Sequence, residues 1–125
     1  MIPGATEALD NPDCPVGSMY NLNYAYKMRR LRQDFEGGKA IFTVPQMPIK
    51  CGGAPQKIMH LSEETWRKTG VRDNCDIHFY TSGPSMFPVK KYSDALLPLT
   101  QNKNIGVHLS HLIKSVDGQN QTVTF

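Results

Sequence analysis

Ala40-Ile-Phe-Thr-Val44 is an uncharged run, Pro45-Gln-Met-Pro-Ile-Lys-Cys-Gly-Gly-Ala-Pro55 is a loop punctuated by proline and glycine, and Gln56-Lys-Ile-Met-His-Leu61 opens a helical period. The run ends at Pro45 and Pro48 and reads as a buried strand. Pro55 suits a first helical position, Ile58, Leu61 and Thr65 keep helical spacing, and Gly70 stops a helix expected over residues 56–69. Ser62-Glu63-Glu64 offers an alternative, a cap for a second, shorter helix after a break near Leu61. Working outward, residues 75–81 alternate and are rich in aromatic and β-branched side chains, a second strand closed by Gly83-Pro84. Residues 89–101 return to helix, with a kink or early end expected at Pro98. Residues 105–109 form a third strand, and residues 111–125 split at Asp117-Gly118 into an antiparallel hairpin. Upstream, Tyr24, Met28, Leu31 and Phe35 mark an amphipathic helix from about Tyr20, stopped by Gly37-Gly38. Pro3, Gly4, Pro12, Pro15 and Gly17 make residues 1–19 an irregular linker. The fold expected over residues 20–125 is an α/β domain: a parallel sheet with helices on its faces, right-handed crossovers, and a C-terminal hairpin.

Composition narrows the function. The 125 residues carry 14 basic and 11 acidic side chains, a net charge of +3. This excess is too small and scattered for a nucleic-acid surface. Its only dense run, Lys27, Arg29, Arg30 and Arg32, reads as a solvated helix face. No apolar stretch approaches the ~20 residues needed to cross a bilayer, and the first residues lack the pattern of a signal or transit peptide. Three cysteines, Cys14, Cys51 and Cys75, cannot all pair within the chain. Cys75-x-x-His78 is half a zinc site, and His108-x-x-His111 has no second half nearby, so no metal is expected.

Strand, glycine-containing loop and helix is where a dinucleotide-binding fold holds pyrophosphate, but residues 45–55 contain no G-x-G-x-x-G. The second strand ends in Tyr80-Thr81-Ser82 where a ribose-binding carboxylate is needed. Nor does Lys57 sit in a Gly-Lys-Ser/Thr phosphate loop. The loop instead offers the Cys51 thiol, just before a helix N-terminus and beside Lys50, surroundings that favour a thiolate. Gly52 and Gly53 let a flat ligand or second sulfur approach. Cys75 reads as a small core residue, and Cys14, in a proline-flanked loop, as open to solvent with nothing near to activate it. Trp66 and the Tyr24/Met28/Phe35 stripe read as core.

The run from Phe42 to Glu63, centred on Pro-Ile-Lys-Cys-Gly-Gly-Ala-Pro-Gln-Lys-Ile-Met, together with Val89-Lys-Lys-Tyr-Ser-Asp-Ala-Leu96, resembles the middle of a mitochondrial-type sulfide:quinone oxidoreductase. The resemblance covers nearly all of the chain from Ser18 onward. It implies the second Rossmann-like, NAD-binding-like domain of a glutathione-reductase-like FAD/NAD(P)-binding fold. It further implies an enzyme that oxidises hydrogen sulfide through a cysteine pair, passes electrons through FAD to ubiquinone, and hands sulfur to a small thiol or sulfite. Cys51 matches the family's catalytic redox cysteine, bridged directly or through an added sulfur to a second cysteine, and Lys50, Gly52 and Gly53 would lie near the flavin. The resemblance also implies a mitochondrial inner-membrane location, with membrane association through a C-terminal region. The FAD diphosphate loop, that region and the partner cysteine are absent from these residues, so an interior fragment with an incomplete domain is expected. The alternative reading is a non-catalytic module of the family that serves only in folding or interaction.

Overall fold

A computed structural model describes residues 1–125. The elements are α1 (Ala5–Asp10), α2 (Leu22–Asp34), β1 (Gly38–Val44), α3 (Ala54–Thr69), a 3-10 turn (Arg72–Asn74), β2 (Cys75–Thr81), α4 (Lys90–Asn102), β3 (Ile105–His108), β4 (Ser115–Asp117) and β5 (Thr122–Thr124). They form two compact units, Glu36–Leu112 and Met1–Phe35 with Ile113–Phe125.

The unit Glu36–Leu112 is built on a parallel sheet in the order β1-β2-β3. Parallel partners share a face, so the register sets Ala40, Ile77 and Ile105 in one row and Phe42, Phe79 and Val107 in the next. This is the core face: Ile77, Phe79 and Ile105 are almost wholly buried, and the Phe42 ring lies 6.3 Å from that of Trp66 on α3. Burying a side chain of this size contributes about 1.5–3 kcal/mol, so the two rows anchor the unit. Both crossovers advance the same way, and right-handedness therefore puts α3 and α4 on the same face. The opposite face carries Lys39, Ile41 and Thr43 from β1, Asp76, His78 and Tyr80 from β2, and Gly106 and His108 from β3.

The helix expected up to Gly70 forms, and neither the alternative break near Leu61 nor an early end at Pro98 occurs. α3 runs unbroken past Leu61, because Ser62 and Glu63 are buried within it rather than capping a new start. It ends at Gly70, whose left-handed backbone (φ 81°) lets Gly70 and Val71 donate to Arg67 and Trp66 carbonyls. α4 continues through Pro98 to Asn102. Its last turn is closed by Lys103 and Asn104 donating to Thr100 and Gln101, and Thr100 is fully buried, so tertiary packing holds a turn that the proline weakens.

Glu63 ties the N-terminal end of this sheet to α3. Its side chain is 1% exposed and meets Lys103 at 3.0 Å, Arg72 at 3.5 Å and Arg67 at 2.5 Å. Arg72 in turn donates to the carbonyls of Cys75 and Asn104, at the starts of β2 and β3. One buried carboxylate thus pins a helix and two strand entrances.

The unit Met1–Phe35 with Ile113–Phe125 pairs β4 and β5 antiparallel and adds α1 and α2. Residues 1–19, expected to be irregular, contain α1, and Ala8 on it and Cys14 in the segment after it lie against the turn at Gly118. A Cβ at Gly118 would stand 2.8 Å from Cys14 Sγ, so the hairpin glycine that sequence marks as a turn residue is also required for packing. The expectation of an open Cys14 fails for the same reason: it is 4% exposed, its thiol 3.7 Å from the Gly118 carbonyl. Lys27 likewise leaves the expected solvated face. Its ammonium donates to the carbonyls of Ala8, Leu9 and Asn11 at 2.8, 3.2 and 2.6 Å, satisfying groups at the C-terminal end of α1. One member of the basic run is thus a helix cap.

Burial alone would raise the Glu63 pKa, but hydrogen bonds from Arg67 and Lys103 outweigh it and hold the carboxyl below its ordinary range. A depressed folded-state pKa adds stability that is present above the unfolded value and is lost as pH falls through the folded one. Glu63→Gln should therefore destabilise the protein by about 2 kcal/mol at neutral pH. It should also flatten the acid limb of stability below roughly pH 4.5. Urea unfolding across pH checks both, and an unchanged acid limb would contradict the assignment.

Candidate functional site

β1 delivers the chain to the C-terminal edge of the parallel sheet, the edge at which α/β folds place ligands. The loop from Pro45 to Gly53 crosses that edge before α3 begins at Ala54. Ser82, just past β2, anchors it by donating from Oγ to the Pro45 carbonyl at 3.2 Å. Its far end is wound into the helix start, with Ala54 donating to the Cys51 carbonyl and Lys57 to that of Gly53. Cys51 is exposed on this loop, as is Lys50 beside it.

The loop after β2 completes the site. Gln56, 5% exposed in the first turn of α3, donates from Nε2 to the Met86 carbonyl and so joins the two loops. Ser85 Oγ donates to the Phe87 carbonyl at 2.9 Å and shapes this second loop. The Phe87 ring then stands 3.8 Å from the position a Cβ would take on Gly52, while nothing lies within 4 Å of such an atom on Gly53. The main chain beside Cys51 therefore has an aromatic wall on one side and open space on the other. Met47, Val89 and Tyr92 are exposed apolar groups on these two loops and the start of α4.

Cys51, Lys50, Gly52 and Gly53, the candidates read from sequence, lie together here. Gln56, Ser82 and Phe87 were missed; the glutamine was hidden inside a helix pattern and the other two in a loop whose path sequence does not show. The other cysteines are elsewhere. Cys75 pairs in register with Gly38, at the opposite end of β1 from the Cys51 loop, about 20 Å away at the rise of a strand. That is far outside the 4.4–6.8 Å Cα separation of a disulfide. Cys75 is 8% exposed, burial pushes its thiol up, and its sulfur contacts the Val71 carbonyl at 3.2 Å, as expected of a small core residue. Cys75 and His78 point to opposite faces of β2, so the half zinc pattern does not assemble.

No protein-family model matches the chain. Among solved structures, one chain of the Tetrahymena thermophila mitochondrial ATP synthase F1Fo tetramer superposes with a TM-score of 0.80, covering 99% of this chain and 32% of that one at 16% identity. The sulfide:quinone oxidoreductase of Aquifex aeolicus gives 0.61 over 82% of this chain and 26% of its own, at 17% identity. The water-forming NADH oxidase of Lactobacillus brevis, bound to NADH, gives 0.64 over 99% and 24%, at 12% identity. These likenesses speak for the fold alone, a parallel α/β sheet with helices on its face.

Sequence is more specific. The mitochondrial sulfide:quinone oxidoreductase of Schizosaccharomyces pombe is 41% identical over 126 aligned residues, covering 99% of this chain and 28% of the relative. The mouse enzyme of the same name is 41% identical over 88% of this chain and 24% of its own. The Dictyostelium discoideum one is 38% identical over 82% and 24%. The chain is similar to mitochondrial sulfide:quinone oxidoreductases over most of its own length and spans about a quarter of the length of these relatives.

With one thiol exposed and another buried, iodoacetamide at pH 7–8 should modify Cys51 at least about tenfold faster than Cys75, because reactivity follows accessibility and thiolate content. Peptide mass spectrometry over a time course measures both rates. Equal rates would remove Cys51 as the reactive sulfur.

Proposed function

We propose that these residues form the thiol-bearing domain of a flavin-dependent sulfide:quinone oxidoreductase in which Cys51 is the redox sulfur. The observation that carries the reading is the placement of an exposed Cys51 at the C-terminal edge of a parallel sheet, in a loop that lacks the dinucleotide fingerprint. Hydrosulfide attacks a bridge that joins Cys51 to a second cysteine, directly or through an added sulfur. Where the bridge is direct, a new S–S bond forms as a persulfide on one cysteine, the bridge bond breaks, and the other cysteine leaves as a thiolate with the electron pair; where an added sulfur joins them, the group that leaves with the electron pair is the other cysteine's persulfide. A small thiol or sulfite then removes the outer sulfur. The partner is proposed to lie outside residues 1–125, since Cys75 is a strand length away and Cys14 is buried against the turn at Gly118.

The open main chain at Gly53 and the Phe87 wall at Gly52 fit a flat ring lying against the Cys51 loop, with Lys50 alongside. FAD, when bound, supplies a two-electron acceptor between sulfur and ubiquinone. No G-x-G-x-x-G occurs in the 125 residues, so the cofactor's diphosphate is held by other residues. The exposed Met47, Val89 and Tyr92 suit packing against the domain that holds it. They would serve equally the alternative role of a non-catalytic interaction module. No helix is long and apolar enough to cross a membrane, and the proposed association with the mitochondrial inner membrane rests on other segments.

The test has two parts. Residues 1–125 by themselves should retain neither FAD, read by absorbance near 450 nm, nor NADH, read by titration calorimetry, for want of the diphosphate loop. In flavin-loaded protein that contains these residues and the FAD-binding segments, Cys51→Ser should abolish sulfide-dependent quinone reduction and leave the flavin bound. Retained activity would overturn the catalytic assignment; loss of flavin would make the residue structural.

A further inference from the structure

The sheet face away from α3 carries a cluster that the Cys51 site does not use. His78 Nε2 lies 2.9 Å from an Asp76 carboxylate oxygen, an angled contact along β2, and His78 Nδ1 lies 2.9 Å from His108 Nε2 on β3. Tyr80 stacks on His108 with ring centroids 4.1 Å apart and planes 9° from parallel, and His111 stands edge-on to both at 5.8 Å. Lys39 on β1 reaches Asp76 at 3.5 Å. Gly106, in register with His78, makes the arrangement possible: a Cβ there would stand 2.5 Å from His78 Nδ1 and 3.4 Å from His108 Nε2.

These contacts define the tautomers. The Asp76 carboxyl, held below its ordinary range first by its close contact with His78, is ionised at neutral pH and favours a hydrogen on the ring nitrogen nearest it, so His78 carries its hydrogen on Nε2. His78 Nδ1 is then an acceptor, and the hydrogen in the 2.9 Å contact belongs to His108 Nε2. His108 Nδ1 keeps its lone pair.

We propose that Asp76, His78 and His108 form a one-proton site that stores a single positive charge beside Asp76 and resists a second. A proton binds at His108 Nδ1, and the bridging hydrogen moves from His108 Nε2 to His78 Nδ1. His78 becomes the imidazolium against Asp76, and His108 ends neutral, accepting through Nε2. The hydrogen bond survives with its direction reversed. A second proton has only His108 Nε2 to occupy, which would set N–H against N–H at 2.9 Å and put another cation near Lys39 and His111. Burial of His108, followed by the charges of His78, His111 and Lys39, opposes that step. The facing groups are therefore Lys39 on β1, Asp76 and Tyr80 on β2 and His111 after β3; Ile41 and Thr43 bring no charge. β3 pairs with β2 over only four residues, and this contact joins the second pair to the last, so the second proton would also loosen the edge strand.

Long-range proton–nitrogen NMR of the imidazoles, on the full 125-residue chain between pH 8 and pH 4, tests the proposal. His78 and His108 should share two inflections separated by more than about one pH unit, as strongly coupled sites do. At the upper one, His78 Nδ1 should change from acceptor to N–H. His108→Gln should leave His78 with a single inflection, and Asp76→Asn, a change at an exposed carboxylate, should move the upper inflection to lower pH. Independent single inflections for the two histidines, unaltered by substitution of the neighbour, would overturn it. So would an upper inflection that Asp76→Asn leaves in place. Neither result bears on the role of Cys51.

Discussion

The Glu63 carboxylate is the contact on which the geometry of the unit Glu36–Leu112 turns. A carboxylate that is 1% exposed is costly unless its charge is met, and Arg67, Arg72 and Lys103 meet it. They come from α3 itself, from the turn before β2 and from the end of α4, so one ion cluster fixes where two crossovers return to the sheet. With those returns set, the parallel register follows, and Phe42, Phe79 and Trp66 close over one face. The apolar rows contribute more free energy than the ion cluster. The cluster contributes position, since a mispaired strand would leave a carboxylate buried without its cations.

From that end of the sheet the strands run to the edge that carries the candidate site. Helix starts and strand ends converge there, and neither element needs side chains at its terminus for packing, so loop residues are available for function. Here the first loop presents a thiol and two glycines, and the second presents an aromatic ring. Gln56 joins them from inside α3. The likeness to an NADH oxidase and to sulfide:quinone oxidoreductases is intelligible on this basis. The likeness is one of scaffold, because the sheet positions a loop without specifying its chemistry.

The two faces of the sheet divide their roles by residue type. Under α3 the rows are apolar and dry. On the other face, alternate residues of the same strands place Lys39, Asp76, His78, Tyr80 and His108 within reach of one another, and Gly106 removes the side chain that would separate the histidines. The period of two that buries Ile77 and Phe79 necessarily gathers the polar residues between them. The cluster is thus a consequence of register, and its hydrogen bonds are a consequence of one missing Cβ.

What the sequence determined by itself was local: the alternation of strands and helices, the boundaries of β2, the hairpin at Asp117-Gly118, the failure of the dinucleotide fingerprint and the place of Cys51 before a helix. These rest on periodicity and turn chemistry, which act over a few residues. Tertiary structure decided what depends on distant neighbours. Lys27 became the cap of a helix that the prolines had concealed, Cys14 was buried by a glycine a hundred positions away, Ser62 and Glu63 turned inward, and α4 survived Pro98. His78 and His108, thirty residues apart and unremarkable in spacing, met only because β2 and β3 are neighbours. In each case the deciding energy, burial of a charge or the exclusion of a side chain by another segment, is a property of two stretches of chain at once and has no trace in either alone.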